Sequence, residues 1–153
     1  MRRTTASLTL LVVDDAHFLE PEALTDLRLL VSSTIEDAEP RLKILISGQE
    51  KLRDQLKKSE HADLVHRINV RFHMAPLTSE QTTSYVDFQM KGAGASDKIF
   101  ESESKKLVHE YANGHPRQIN NIATACLINA TTRGLQKISA DLVNETMEEF
   151  RLP

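Results

Sequence analysis

Leu8-Thr9-Leu10-Leu11-Val12-Val13-Asp14-Asp15-Ala16-His17 is a nearly unbroken apolar run, β-branched at its end and stopped by two carboxylates. An apolar run of this length without polar alternation predicts a strand covered on both faces, as in a parallel α/β sheet. Such sheets bind ligands outside the carboxyl ends of their strands, which is where Asp14 and Asp15 fall.

The same order of residues is the Walker B arrangement of nucleotide hydrolases. There the first acid holds Mg²⁺ and the next residue polarises the attacking water. A phosphate-accepting receiver domain also opens with a strand ending in two acids, but its middle strand should end in Asp. Here Leu42-Lys43-Ile44-Leu45-Ile46-Ser47 runs into Gly48-Gln49 instead. A helicase built around Asp-x-x-His needs a second motor domain, for which 153 residues leave no space. A buried strand ending in two solvated acids at a turn is the plain structural alternative.

Composition sets the outer bounds. At 153 residues with 40% apolar content, one compact domain with a small lobe has enough material for a core. A net charge of -3 gives no global reason to expect nucleic acid. The single Cys126 lies among apolar helix residues and reads as a buried structural thiol in a reducing compartment. Met1-Arg2-Arg3 precedes a run too short for a signal peptide and lacking a cleavage site, and no stretch approaches membrane-spanning length.

Around the first strand the chain reads as βα units. Pro21, with Glu20 and Glu22, opens a helix carrying Leu24, Leu27 and Val31, and a polar loop runs from Ser32-Ser33 to Pro40. The strand Leu42 to Ser47 and a Lys/Arg-rich helix with Leu52 and Leu56 follow. Arg67 to Ala75 alternates strictly, with Ile68, Val70, Phe72 and Met74 on one face and Arg67, Asn69, Arg71 and His73 on the other. A half-exposed third strand is expected there.

At Pro76-Leu77 the pattern becomes helical, so residues 1–77 are expected as an α/β core and 78–153 as a helical lobe. Thr78 and Gln81 form a capping-box pattern, and Gly92-Ala93-Gly94 ends that helix. Leu107, Val108, Tyr111 and Ala112 mark a second helix stopped at Asn113-Gly114. Pro116 opens the longest, with Ile119, Ile122, Ala123, Cys126, Leu127 and Ala130, closed by Gly134. Ser139 caps the last, bearing Leu142, Val143, Met147 and Phe150.

In this order the pieces resemble the later two-thirds of an AAA+ ATPase of the general secretion pathway protein A (ExeA) type, a group related to transposition and origin-recognition-like ATPases. The resemblance rests on four ordered motifs: Asp14-Asp15-Ala16-His17, Ser47-Gly48-Gln49, Arg67-Ile68 to Pro76-Leu77, and Gly114-His115-Pro116-Arg117-Gln118-Ile119-Asn120. It implies a partial parallel sheet of the P-loop NTPase type followed by a small all-helical lid. It further implies Asp14 as the Mg²⁺ acid, Asp15 as catalytic base, Gln49 as sensor 1, Arg67 as an arginine finger acting on a neighbouring copy, and Arg117 as sensor 2. ATP and Mg²⁺ would be the cofactors of the intact protein, a homo-oligomer in the cytoplasm acting on secretion or transposition machinery. The residues themselves support Arg117 best, because a cation in the first turn of a helix opposes the macrodipole unless an anion joins it. A surface charge explains Arg67 as well as a finger does, and a loop-end hydrogen bond explains Gln49 or His17.

Two departures from the family pattern bear on activity. Most relatives carry Glu where Asp15 stands, and Asp reaches about 1.5 Å less. The five glycines, at 48, 92, 94, 114 and 134, open no Gly-x-x-x-x-Gly-Lys-Ser/Thr loop, so no phosphate cradle is written in these residues. A domain fragment, a truncated reading frame and a degenerate relative all remain consistent with that, as does a non-catalytic interaction or regulatory module derived from such an ATPase. The resemblance also implies that the missing phosphate-loop strand lies between the Gln49 strand and the Arg67 strand. Without it, the expectation is a rearranged three-stranded sheet or an oligomer completed by another chain.

Overall fold

The computed structural model describes residues 9–32, 42–96 and 98–150. It divides into two compact units, Met1–Phe72 and His73–Pro153.

In the first unit the opening apolar run forms β1, Thr9–Val13, and the second forms β2, Leu42–Ile46. They pair in parallel from Thr9 opposite Leu42 to Val13 opposite Ile46. Between them in sequence stands α1, Pro21–Ser32, started by Pro21 as expected. Downstream come α2, Glu50–Leu56, a 3₁₀ turn over Ser59–His61, and α3, Ala62–His66, the last two not expected from the sequence. Ala16, Leu24, Leu27, Leu52 and Leu64 form the core, with Leu11, Val13, Ile44 and Ile46 packed against it. The polar loop expected from Ser33 to Pro40, and the side chain of Val31, lie outside the described residues.

Two expectations fail in this unit. Among the described residues the sheet is covered on one face only: Leu10, Val12 and Leu45, which point away from the core, stay exposed. The apolar run did encode two faces suited to burial, but among the described residues only one finds a helical layer. The strand expected over 67–75 does not form either. Val70, Phe72 and Met74 are 84%, 86% and 83% exposed, and the described sheet has two strands, in the order β1-β2. Alternation supplies the side-chain pattern of a strand, whereas a strand also needs a neighbour for its backbone groups. The rearranged three-stranded sheet is therefore not what this sequence adopts.

The second unit is helical, as the caps and stripes foretold. Its helices are α4, Ser79–Gly92; α5, Ser102–Ala112; α6, Pro116–Thr132; and α7, Ala140–Phe150. The capping box is complete: Gln81 N donates to Thr78 Oγ1 at 3.2 Å, and Thr78 N donates to Gln81 Oε1 at 2.9 Å. Asn113 (φ 49°) and Gly114 (φ 71°) turn the chain through the left-handed region after α5. Only glycine fits at 114, since a Cβ there would stand 2.2 Å from the Leu77 carbonyl oxygen. Leu77 N donates to Gly114 O at 2.9 Å, pinning the start of the unit to the α5–α6 turn.

Val86, Phe100, Val108, Ile119, Ile122, Cys126, Ile138, Leu142 and Val143 belong to one buried cluster drawn from all four helices and the segments between them. Each such side chain contributes about 1.5–3 kcal/mol by leaving water. Burial pushes the Cys126 thiol above its ordinary range, partly offset by a hydrogen bond with Thr146. It is a core residue rather than a nucleophile. No helix among the described residues is long and apolar enough to cross a membrane.

Candidate nucleotide and magnesium site

Parallel pairing sets the carboxyl ends of β1 and β2 side by side. Because Val13 faces Ile46, the next residues, Asp14 and Ser47, leave the sheet together. Ser47 N donates to Val13 O at 3.0 Å, and Ala16 N donates back to Ser47 O at 2.8 Å, so the two exits are laced beyond the strands. Ser47 Oγ donates to Asp14 Oδ1 at 2.6 Å, and the Asp15 backbone N–H donates to the same oxygen at 2.9 Å. These bonds, the Ser47 hydroxyl first, hold the Asp14 carboxyl below its usual range, with the nearby His17 adding a smaller effect in the same direction. Asp14 is thus an exposed, ionised carboxylate of fixed orientation.

Asp15 follows in the left-handed region, φ 51° and ψ 33°, where Asp is tolerated better than most residues. It starts the 3₁₀ turn Ala16–Phe18, and its side chain is exposed. His17 in that turn is buried, with its Nδ1 3.8 Å from Asp15 Oδ1 and 3.4 Å from Gln49 N. Gln49 caps the start of α2 by backbone conformation alone; its own side chain makes no capping bond. Asp14 and Asp15 from one motif and Gln49 from another therefore meet at the carboxyl ends of the two strands.

Arg67 does not lie on a strand, because the strand does not form. It caps the carboxyl end of α3, where its N–H donates to Leu64 O at 3.0 Å, and its side chain is exposed. No hydrogen bond or ion pair among the described residues joins it to the acidic turn. Arg117 stands in the first turn of α6, directly after Pro116, exposed and with no acidic residue in that turn. The unfavourable placement against the helix dipole read from the sequence is thus present in the fold.

Ser47 escaped the sequence reading as a site residue, whereas His17 was weighed beside Gln49 with a loop-end hydrogen bond as its plain explanation. The place of Ser47 follows from cross-strand register, which sets Val13 opposite Ile46 and so brings the residues after them together. The burial of His17 could not be read, because it depends on the 3₁₀ turn folding it under the β2 exit.

The donor set suits a hard cation. An ionised carboxylate with a hydroxyl beside it offers oxygen ligands, while no group of three or more His, Cys, Asp or Glu side chains that could hold a metal ion occurs among the described residues. Mg²⁺ is commonly held by one or two protein oxygens, with waters and phosphate completing its shell.

A parallel βαβ unit whose first strand ends in paired acids, followed by a capped helical lobe, is the arrangement that the resemblance to AAA+ ATPases implied. No family model matches. In sequence, the chain is 34% identical over 130 residues to the general secretion pathway protein A of Aeromonas hydrophila, covering 85% of this chain and 24% of that protein. The chain thus spans about a quarter of the length of that relative. In fold, it is similar to a single-substitution variant of Thermotoga maritima RuvB, with a TM-score of 0.73 at 17% identity, covering 94% of this chain and 45% of that one. The Thermotoga maritima RuvB Holliday junction branch migration motor gives 0.67 at 16%, with the same coverage. Together these likenesses support an AAA+ ATPase segment of the general secretion pathway protein A type.

Proposed function

We propose that this chain is the Walker B to lid portion, residues 1–77 and 78–153, of an AAA+ module that binds and hydrolyses ATP to remodel a partner assembly. The observation that carries the reading is the Asp14 carboxylate, held ionised by Ser47 at a parallel strand exit beside the Gln49 loop. Asp14 and the Ser47 hydroxyl would hold Mg²⁺, which supplies charge neutralisation at the phosphates when bound. Asp15 would orient and deprotonate the attacking water, and Gln49 would act as sensor 1. Arg117 would act as sensor 2, where an anion would relieve its conflict with the α6 dipole. Arg67, exposed at the end of α3, would reach the phosphate of a neighbouring copy in a homo-oligomer. The relative's name suggests secretion machinery as the partner, with transposition machinery the alternative among related ATPases. A buried, unreactive Cys126 suits a reducing cytoplasmic setting.

One feature favours a second reading, a non-catalytic interaction module: Asp15 is a methylene shorter than Glu, enough to misplace a water. ATP titration of this chain with Mg²⁺ separates the two, since submillimolar affinity without a phosphate loop counts against the second. The decisive experiment uses the complete protein with a phosphate-binding loop. Arg67→Ala should leave nucleotide binding intact and remove hydrolysis by about 10³-fold or more, because a finger acts on a neighbour's transition state. Equal loss of binding and turnover would make Arg67 a plain ligand or a structural residue and overturn its role. Phosphate release by this chain alone, abolished by Asp14→Ala, would overturn the requirement for the loop.

A further inference from the structure

We propose that His17 is the positioning residue that couples the acidic turn to Gln49; its catalytic consequence rests on the ATPase reading above. His17 is 3% exposed, and its Nδ1 lies 3.4 Å from the Gln49 backbone N–H. That N–H is one of the donors a helix leaves unsatisfied at its start, and Gln49 caps α2 without using its own side chain. By accepting the backbone proton, His17 leaves the Gln49 amide side chain available for a ligand.

Gly48 makes the contact close. A Cβ there would stand 3.1 Å from His17 N, 3.3 Å from His17 Nδ1 and 3.1 Å from Leu52 Cδ2. The imidazole therefore lies flush against the Gly48 backbone, and the place of Gln49 depends on the ring.

Accepting from Gln49 N–H requires a lone pair on Nδ1, which puts the hydrogen of the neutral ring on Nε2. In that tautomer Nδ1 has no proton to offer Asp15 Oδ1, 3.8 Å away, so the Asp15 carboxylate stays turned to solvent. One imidazole thus sets both sides of the site: it fixes the sensor loop and leaves the second acid free.

The test compares His17→Asn, whose amide oxygen can replace the acceptor, with His17→Phe, which keeps a ring without one. Amide exchange on this chain should speed at Gln49 by about tenfold in His17→Phe and stay within about twofold in His17→Asn. A ring with only a packing role gives the reverse order, because Asn leaves the larger void, and that result overturns the proposal. If His17→Phe fails to fold, the nitrogen-15 shifts of the His17 ring in the unsubstituted chain decide instead: a proton-free, bond-accepting Nδ1 supports the proposal, and a protonated Nδ1 overturns it. In the complete protein, His17→Phe should lower kcat with KM for ATP within about twofold, and His17→Asn should restore it. Absence of turnover in the unsubstituted complete protein would remove the ATPase reading and the catalytic consequence, while the exchange result still decides the coupling.

Discussion

The two units solve the same problem with different completeness. Residues 73–153 close a core around Val108, Ile119, Ile138 and Val143, all essentially inaccessible. Residues 1–72 bury five apolar side chains and carry eight of the twelve large apolar ones left exposed among the described residues, including Leu10, Val12, Leu45, Val70 and Phe72. A helical lobe meets its backbone hydrogen bonds internally and needs partners only for its stripes. A parallel sheet needs covering layers and neighbouring strands, so part of one shows its unmet needs at its faces and edges.

The largest expected effect tests the closed unit. Ile119→Ala should cost about 3 kcal/mol, because a fully packed site cannot collapse around the void. The same truncation at Phe72 should cost within about 0.5 kcal/mol in a dilute sample. Chemical denaturation of both variants measures this, and comparable losses would mean that residues 68–74 are buried in solution. Gly114→Ala should follow at about 2 kcal/mol or more, since a methyl group would have to displace the Leu77 carbonyl in a backbone conformation that disfavours it. Thr78→Ala should cost about 1 kcal/mol through loss of the capping box, read as earlier melting of the helical unit.

These contrasts follow what was legible in the sequence. Thr78 with Gln81, Asn113-Gly114 and Pro116 are local signals, and each acts within a few residues of itself, so the helical unit could be read almost element by element. The alternation of Ile68, Val70, Phe72 and Met74 was equally clear, yet pairing depends on a strand elsewhere, and no pattern within the segment supplies one. The short stretch from Ser59 to His66 was missed because it carries little periodicity and anchors through Leu64 alone among its aliphatic side chains. At the site, the acids were placed by the strand that ends in them. The Ser47 bond to Asp14 required cross-strand register, and the burial of His17 required a turn that composition does not announce. Arg67 was correctly seen as exposed but assigned to the wrong element.

The smallest predicted effect tests whether the edge of the incomplete unit is nevertheless organised. Ser47→Ala removes the largest influence holding the Asp14 carboxyl below its usual range and leaves the Asp15 N–H bond in place. A carboxylate depressed in the folded state contributes stability that is present above its unfolded value and is lost as pH falls through the folded one. The contribution of Asp14 should therefore fade from the ordinary carboxylate range downward and vanish only below it, and in Ser47→Ala it should be smaller and vanish at a higher pH. Because Asp14 is exposed, the change in overall stability should be slight. The direct measurement is a carbon-13 titration of the Asp14 carboxyl, whose midpoint should rise on substitution while those of other carboxylates, such as Asp54 beside Lys57, stay fixed. An unmoved Asp14 midpoint would mean that the 2.6 Å bond is absent in solution. The two strand exits would then be joined by backbone alone, and the Asp14 carboxylate would be oriented only by the Asp15 N–H.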